Sequence, residues 1–192
     1  MKNLTIIALI GLVVPLATTA AERQHGAHEH GAGKLNLAQE KDEVEIELEV
    51  PSVDIVGFEH PAETAEDRKA VEAAVKKLKA GARLFRFPVA AGCTLKEAEV
   101  EVHGGEKGGP KEKTAQHKHE EKAGEHKHEI ERGHSEFHAH YHFRCANPTA
   151  ASPLDVQVFV QFPAAQKLVV QAISPRGQSA ATLTPQNHRF NF

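Results

Sequence analysis

Fourteen of the 192 residues are histidine, and most of them stand in pairs or triplets at spacings that suit chelation. Neutral imidazole is a good ligand for zinc, copper and nickel, and a neighbouring carboxylate adds an oxygen donor and negative charge. One unit occurs twice, nine residues apart: His117-Lys118-His119-Glu120 and His126-Lys127-His128-Glu129. Both copies lie in residues 104–136, where only Ala115, Ala123 and Ile130 are apolar. Such a tract buries too little surface to offset the entropy of ordering it, so it is expected to be a disordered insert within the domain. Metal pairs on a flexible chain hold several ions loosely, because each capture must order the chain. The plain alternative is a solvated charged tract with incidental histidines, and the repeated unit argues against it.

A second group is more specific. In Phe137-His138-Ala139-His140-Tyr141-His142-Phe143-Arg144-Cys145 the apolar residues alternate with His138, His140, His142 and Arg144. A strand sends successive side chains to opposite faces, with alternate Cα atoms about 6.5–7 Å apart. One face is therefore core, and the other is a row of imidazoles close enough for two to share a metal ion. The competing reading is an exposed face that happens to be rich in His. His25, His28 and His30 near the mature N-terminus, with Glu59 and His60 further on, are candidates to complete a tetrahedral zinc site. His60 before Pro61 is by itself a weak signal, and His188 reads as an ordinary surface residue.

These groups must be positioned by a folded, exported domain. Lys2, the apolar run over residues 4–16 and the small residues Ala17-Thr18-Thr19-Ala20-Ala21 have the anatomy of a cleaved signal peptide, with cleavage after Ala20 or Ala21. The run is short for a membrane span, and no Cys lies near the small residues to carry a lipid, so no membrane anchor is expected. Residues 1–20 are thus assigned to the signal and 21–192 to one metal-binding domain. Removing Lys2 takes the formal charge from −3 to −4, which suggests neither nucleic acid nor an anionic membrane as partner. In an oxidising periplasm the even pair Cys93 and Cys145 most simply forms a disulfide. Thiolate ligation of the metal is the alternative.

Val44, Ile46, Leu48 and Val50 alternate with glutamates, which marks a half-buried strand ending at Pro51. Lys34 to Ala38 alternates more briefly. Thr64 and Asp67 form a capping-box-like start to a helix with Val71, Ala74, Val75 and Leu78 at helical spacing, and Gly81 stands where it would stop. Strands are expected over residues 83–87, 95–102, 137–145, 154–162 and 167–173, with short pieces near Leu183 and Phe190. The fold class is α+β: a single mostly antiparallel β domain, one main helix over about 63–80, and the long His-rich insert. The run from His28 to Pro51 and that from His138 to Pro163 are similar in length, 23 and 25 residues, so two related halves or coincidence are both open.

Enzyme motifs are missing. No Ser-His-Asp set, phosphate loop or H-E-x-x-H helix is found. A periplasmic copper–zinc superoxide dismutase would share the size, the β character and the single disulfide, but it needs a tightly spaced His-bridged dinuclear motif that this sequence lacks. The chain is therefore expected not to be an enzyme.

His28-Glu29-His30-Gly31, the run from Val50-Pro51 to Glu59-His60, the single Cys93, and His134 through Tyr141-His142-Phe143-Arg144-Cys145 carry a resemblance to a known family. They are similar to the ZrgA-like periplasmic zinc-binding proteins, and Phe162-Pro163 and Pro175-Arg176-Gly177-Gln178 fit the same pattern. The resemblance covers nearly the whole mature chain. It implies zinc binding beside a membrane transport system that takes up zinc, and favours His28, His30, His60 and His134 together with the strand histidines. Imidazole sites also take copper and nickel, and copper binds such donors more tightly than zinc. Sequestration of either metal is the alternative function.

Overall fold

Alternation decides the architecture. In EVEIELEVP every second residue is aliphatic, so pairing this strand in a sheet buries Val44, Ile46, Leu48 and Val50 and leaves four glutamates on the opposite face. The computed structural model describes residues 32–104 and 135–192. The assigned signal segment, His25, His28, His30, His117, His119, His126, His128 and His134 lie outside the described residues, as does most of the expected insert.

The large sheet is built from β1 (Ala32–Glu40), β2 (Glu43–Pro51), β4 (Cys93–His103), β5 (Glu136–Cys145), β7 (Lys167–Ser174) and β8 (Gly177–Leu183). Their order is β4-β5-β2-β1-β7-β8. Only β1 and β7 pair in parallel. A smaller sheet joins β3 (Phe85–Arg86), β6 (Leu154–Val156) and β9 (Arg189–Phe190) in the order β3-β6-β9. Four α-helices, α1 (Ser52–Val56), α2 (Ala65–Lys79), α3 (Gly81–Leu84) and α4 (Val158–Gln161), and two short 3-10 turns at Val89–Ala91 and Pro148–Ala150 complete the described elements. The expected mostly-sheet α+β fold with one main helix is what forms.

The helix begins as expected. Thr64 Oγ1 accepts from the Asp67 amide at 3.0 Å, and the Asp67 carboxylate accepts from the Thr64 amide at 3.1 Å. Hydrogen bonding from the Thr64 side chain and amide holds the Asp67 carboxyl below its ordinary value. Ala74 and Leu78 turn the helix onto the sheet, where the Tyr141 hydroxyl donates to the Leu78 carbonyl at 3.0 Å. Phe85, Leu84, Phe159, Phe162 and Phe190 add to one continuous core beneath the sheet.

Three sequence readings need correction, and one left open is decided. The stretch 154–162 is not one strand: β6 stops at Val156 and α4 follows. Val158, Phe159 and Phe162 bury at helical spacing, whereas Val160, inward on a strand reading, is 63% exposed. Residues 83–87 hold the end of α3 and only two strand residues, because the Phe85 amide donates to the Gly81 carbonyl and closes a turn of helix over Gly81–Leu84. The insert cannot reach Glu136, since β5 starts there and Ser135 is buried, its carbonyl accepting from the Ser52 amide at 2.8 Å. Finally, the two compared runs fold differently, one largely into the β1–β2 hairpin and the other into β5, β6 and α4. They are not structural repeats.

Candidate metal-binding face

The outer face of the large sheet concentrates the ligating side chains, and a bulge brings four of them there. In β4 the apolar positions change parity, from Cys93 and Leu95 to Ala98, Val100 and Val102. A regular strand would turn one of these sets outward. An extra residue at the bulge between Leu95 and Glu97 restores the phase, so all five lie opposite inward-facing residues of β5. Glu97, Glu99, Glu101 and His103 are thereby placed on the same face as the β5 histidines.

β5 lies between β4 and β2, and the registers make three cross-strand rows. Glu97, His142 and Glu45 form one; Glu99, His140 and Glu47 the next; Glu101, His138 and Glu49 the third. Each histidine of the expected row thus has a glutamate on both neighbouring strands. The residues alternating with them, Phe137, Ala139, Tyr141, Phe143 and Cys145, are all buried. Burial raises the Tyr141 phenol well above its ordinary value, which keeps it neutral and donating to Leu78.

Individual contacts differ along the row. His138 Nε2 lies 2.6 Å from Glu136 Oε1, and both side chains are 14% exposed. His140 Nε2 is 3.9 Å from Glu47 Oε1, and His142 Nε2 is 3.7 Å from Glu43 Oε2. These last two are ion-pair distances rather than hydrogen bonds. His142 Nε2 is screened from solvent with no hydrogen-bond partner. Glu43 is shared: its other oxygen accepts from the Arg144 guanidinium at 2.8 Å. That carboxylate and Asp42 raise the Arg144 pKa further. Glu47 and Glu49 also accept from Asn36 and Lys34 of β1. As placed, no three His, Cys, Asp or Glu side chains among the described residues are arranged to hold one metal ion.

The remaining expected residues sit elsewhere. His60 stacks on Phe58 with ring centroids 4.6 Å apart, and its Nδ1 is 2.9 Å from the Pro61 carbonyl. The Glu59 carbonyl accepts from Ser135 Oγ at 3.0 Å, which ties the Glu59–His60 loop to the residue following His134. Cys93 and Cys145 face one another across β4 and β5 and form a disulfide, so neither thiol is a ligand. His188 is more engaged than a plain surface residue, with Nδ1 2.7 Å from Asp155 Oδ1.

Sequence reasoning missed His103 and the acidic rows. His103 Nε2 lies 2.9 Å from Glu101 Oε2, and its ring meets the His138 ring edge-on at 4.5 Å between centroids. The parity change in β4 was the signal that places it on this face.

The sequence profile described as ZrgA family zinc uptake protein matches residues 27–192. Among curated proteins none matches the chain.

Proposed function

The chain belongs to the ZrgA family of zinc uptake proteins, and on that premise we propose that it is a periplasmic zinc-binding protein that captures or buffers zinc and supports its uptake through a membrane transporter. The observation that carries this reading is the outward row His138, His140 and His142, set between two rows of glutamates. Carboxylates lower the potential over the face and draw in a divalent cation, while imidazoles supply nitrogen donors suited to zinc. The unpartnered, screened Nε2 of His142 is a polar atom whose burial is costly until something bonds it. A metal ion would meet that need.

In this proposal residues 1–20 are a signal peptide and 21–192 the exported metal-binding domain. The Cys93–Cys145 disulfide suits an oxidising compartment, and among the described residues no helix is long and apolar enough to cross a membrane. Tight binding is assigned to His138, His140 and His142, with His25, His28, His30, Glu59, His60 and His134 as candidate further ligands. His117, His119, His126 and His128 hold additional zinc loosely. The protein acts as a carrier and not as an enzyme. Protons compete with metal for imidazole, whose unperturbed pKa is about 6.5, so acidification releases the cargo.

Calorimetric titration of the mature chain with zinc tests this, with copper and nickel as competitors. Replacing both His140 and His142 with Ala should lower the tight stoichiometry and spare the loose class. A single class indifferent to those substitutions would refute the two-tier scheme. Copper or nickel held while zinc is not retained would move the reading to sequestration of those metals.

A further inference from the structure

The β4 and β5 strands meet at their open end in two adjacent cross-strand pairs, His103 with Glu136 and Glu101 with His138, one on each side of the Val102–Phe137 pair. All four ligating residues project on the outer face, in a checkerboard where every histidine is beside a glutamate both along its strand and across it. We infer that His103, His138, Glu101 and Glu136 form a zinc site of their own at this end of the hairpin, separate from His140 and His142. The inference rests on the reading of the chain as a zinc carrier and adds His103 to its ligands.

The geometry is close to what capture needs. The His103 and His138 rings already touch, with centroids 4.5 Å apart and planes inclined at 61°. Each Nε2 meets a carboxylate oxygen of its own strand, at 2.9 Å for His103 and 2.6 Å for His138. A tetrahedral zinc with ligand bonds of about 2.0–2.1 Å separates its donor atoms by about 3.4 Å. Each nitrogen–oxygen gap therefore has to open by roughly half an ångström to about 0.8 Å as the proton bridging it gives way to the metal, and the two pairs must turn toward each other. Side-chain rotation supplies both motions, since the backbone is fixed by the β ladder. Two imidazoles and two carboxylates carry a formal charge of −2, which matches one zinc ion.

The location favours binding over a purely structural ion pair. His138 and Glu136 are each only 14% exposed, so their contact is shielded, whereas His103 and Glu101 are 50% and 66% exposed and leave an open approach. The shielded pair anchors the ion and the exposed pair closes on it.

The test uses the full mature chain and zinc alone. Nitrogen-15 spectra that resolve each imidazole follow His138 and His103 during a zinc titration, alongside the stoichiometry of tight binding. In the unaltered protein both Nε2 signals should shift together at one zinc concentration. His103→Ala should lower the tight stoichiometry by one and weaken the zinc response of His138 at least tenfold, while His140 and His142 respond as before. His103→Gln, which retains a polar side chain, should behave like the alanine variant. If His138 responds unchanged in both variants, or the stoichiometry is unaltered, this site does not exist although the carrier reading stands. If no histidine of the unaltered chain responds to zinc, the carrier reading falls with it.

Discussion

Gly81→Ala probes the packing that holds the histidine strand in place. A Cβ at position 81 would lie 2.5 Å from Tyr141 Cδ1, 2.9 Å from Cε1 and 3.3 Å from Leu95 Cδ1. Carbon atoms pack best at about 3.5–4.0 Å, so the ring would have to retreat by roughly 1 Å. It has little room. Its hydroxyl donates to the Leu78 carbonyl at 3.0 Å, and Phe85 meets its edge at 4.9 Å between centroids. Overfilling a packed site costs about 1–3 kcal/mol, and a lost bond to Leu78 would add about 1 kcal/mol. Alanine gains about 0.4–1 kcal/mol by restricting the unfolded chain. A net loss of about 1–3 kcal/mol follows, or roughly 3–9 °C in Tm for a domain of this size. Denaturant unfolding with the disulfide intact measures it. In a Tyr141→Leu background the same substitution should cost less than half as much, because the ring it meets is gone. A neutral or stabilising Gly81→Ala in the unaltered background would refute the close-packing account. Zinc stoichiometry should not change, since the strand is held by ladders to β2 and β4.

Two other perturbations separate fold from cargo. Deleting residues 105–134 should leave a cooperatively unfolding domain while lowering the number of zinc ions bound, as counted by metal analysis after desalting; loss of cooperative unfolding would show that the tract is needed for folding. Asp67→Asn should lower stability at neutral pH, because the Asp67 carboxyl is held down by the Thr64 side chain and amide. A depressed folded-state pKa contributes stability above the unfolded value of about 3.9 and loses it as pH falls further. The difference between variant and parent should therefore shrink below about pH 4 and vanish below the folded pKa, and a difference independent of pH would contradict the capping role.

The strands carrying the site were legible because alternation is a local signal. Val44 to Val50 and Phe137 to Cys145 each state which residues face the core, and the histidine face followed directly. The capping box at Thr64 was equally local. What stayed hidden depended on partners distant in sequence. Nothing near His138 announces that Glu49 and Glu101 stand beside it, because register is a property of the assembled sheet. Gly81 was legible as a helix stop, whereas its contact with the Tyr141 ring comes from 60 residues further along the chain. The helix at Val158 was misjudged because Val156, Val158, Val160 and Phe162 fit period two as well as they fit a turn of helix. The burial of Phe159 and the exposure of Val160 decide between them.

The same alternation explains how a stable fold and a labile cargo coexist in one strand. Along β5 each residue that packs the core is flanked by residues that face solvent, so the two sets can change independently. Removing an outward imidazole deletes no core contact, which is why the histidine substitutions above are expected to alter binding and leave folding intact. The reverse does not hold. Phe137, Ala139, Tyr141 and Phe143 fix the height and spacing of the imidazoles between them, and the bulge in β4 fixes which glutamates stand opposite. A one-residue slip in either ladder would turn every histidine of β5 toward the core or exchange its acidic neighbours for Ala98, Val100 and Val102. The affinity of this face is therefore set by sheet register as much as by ligand identity.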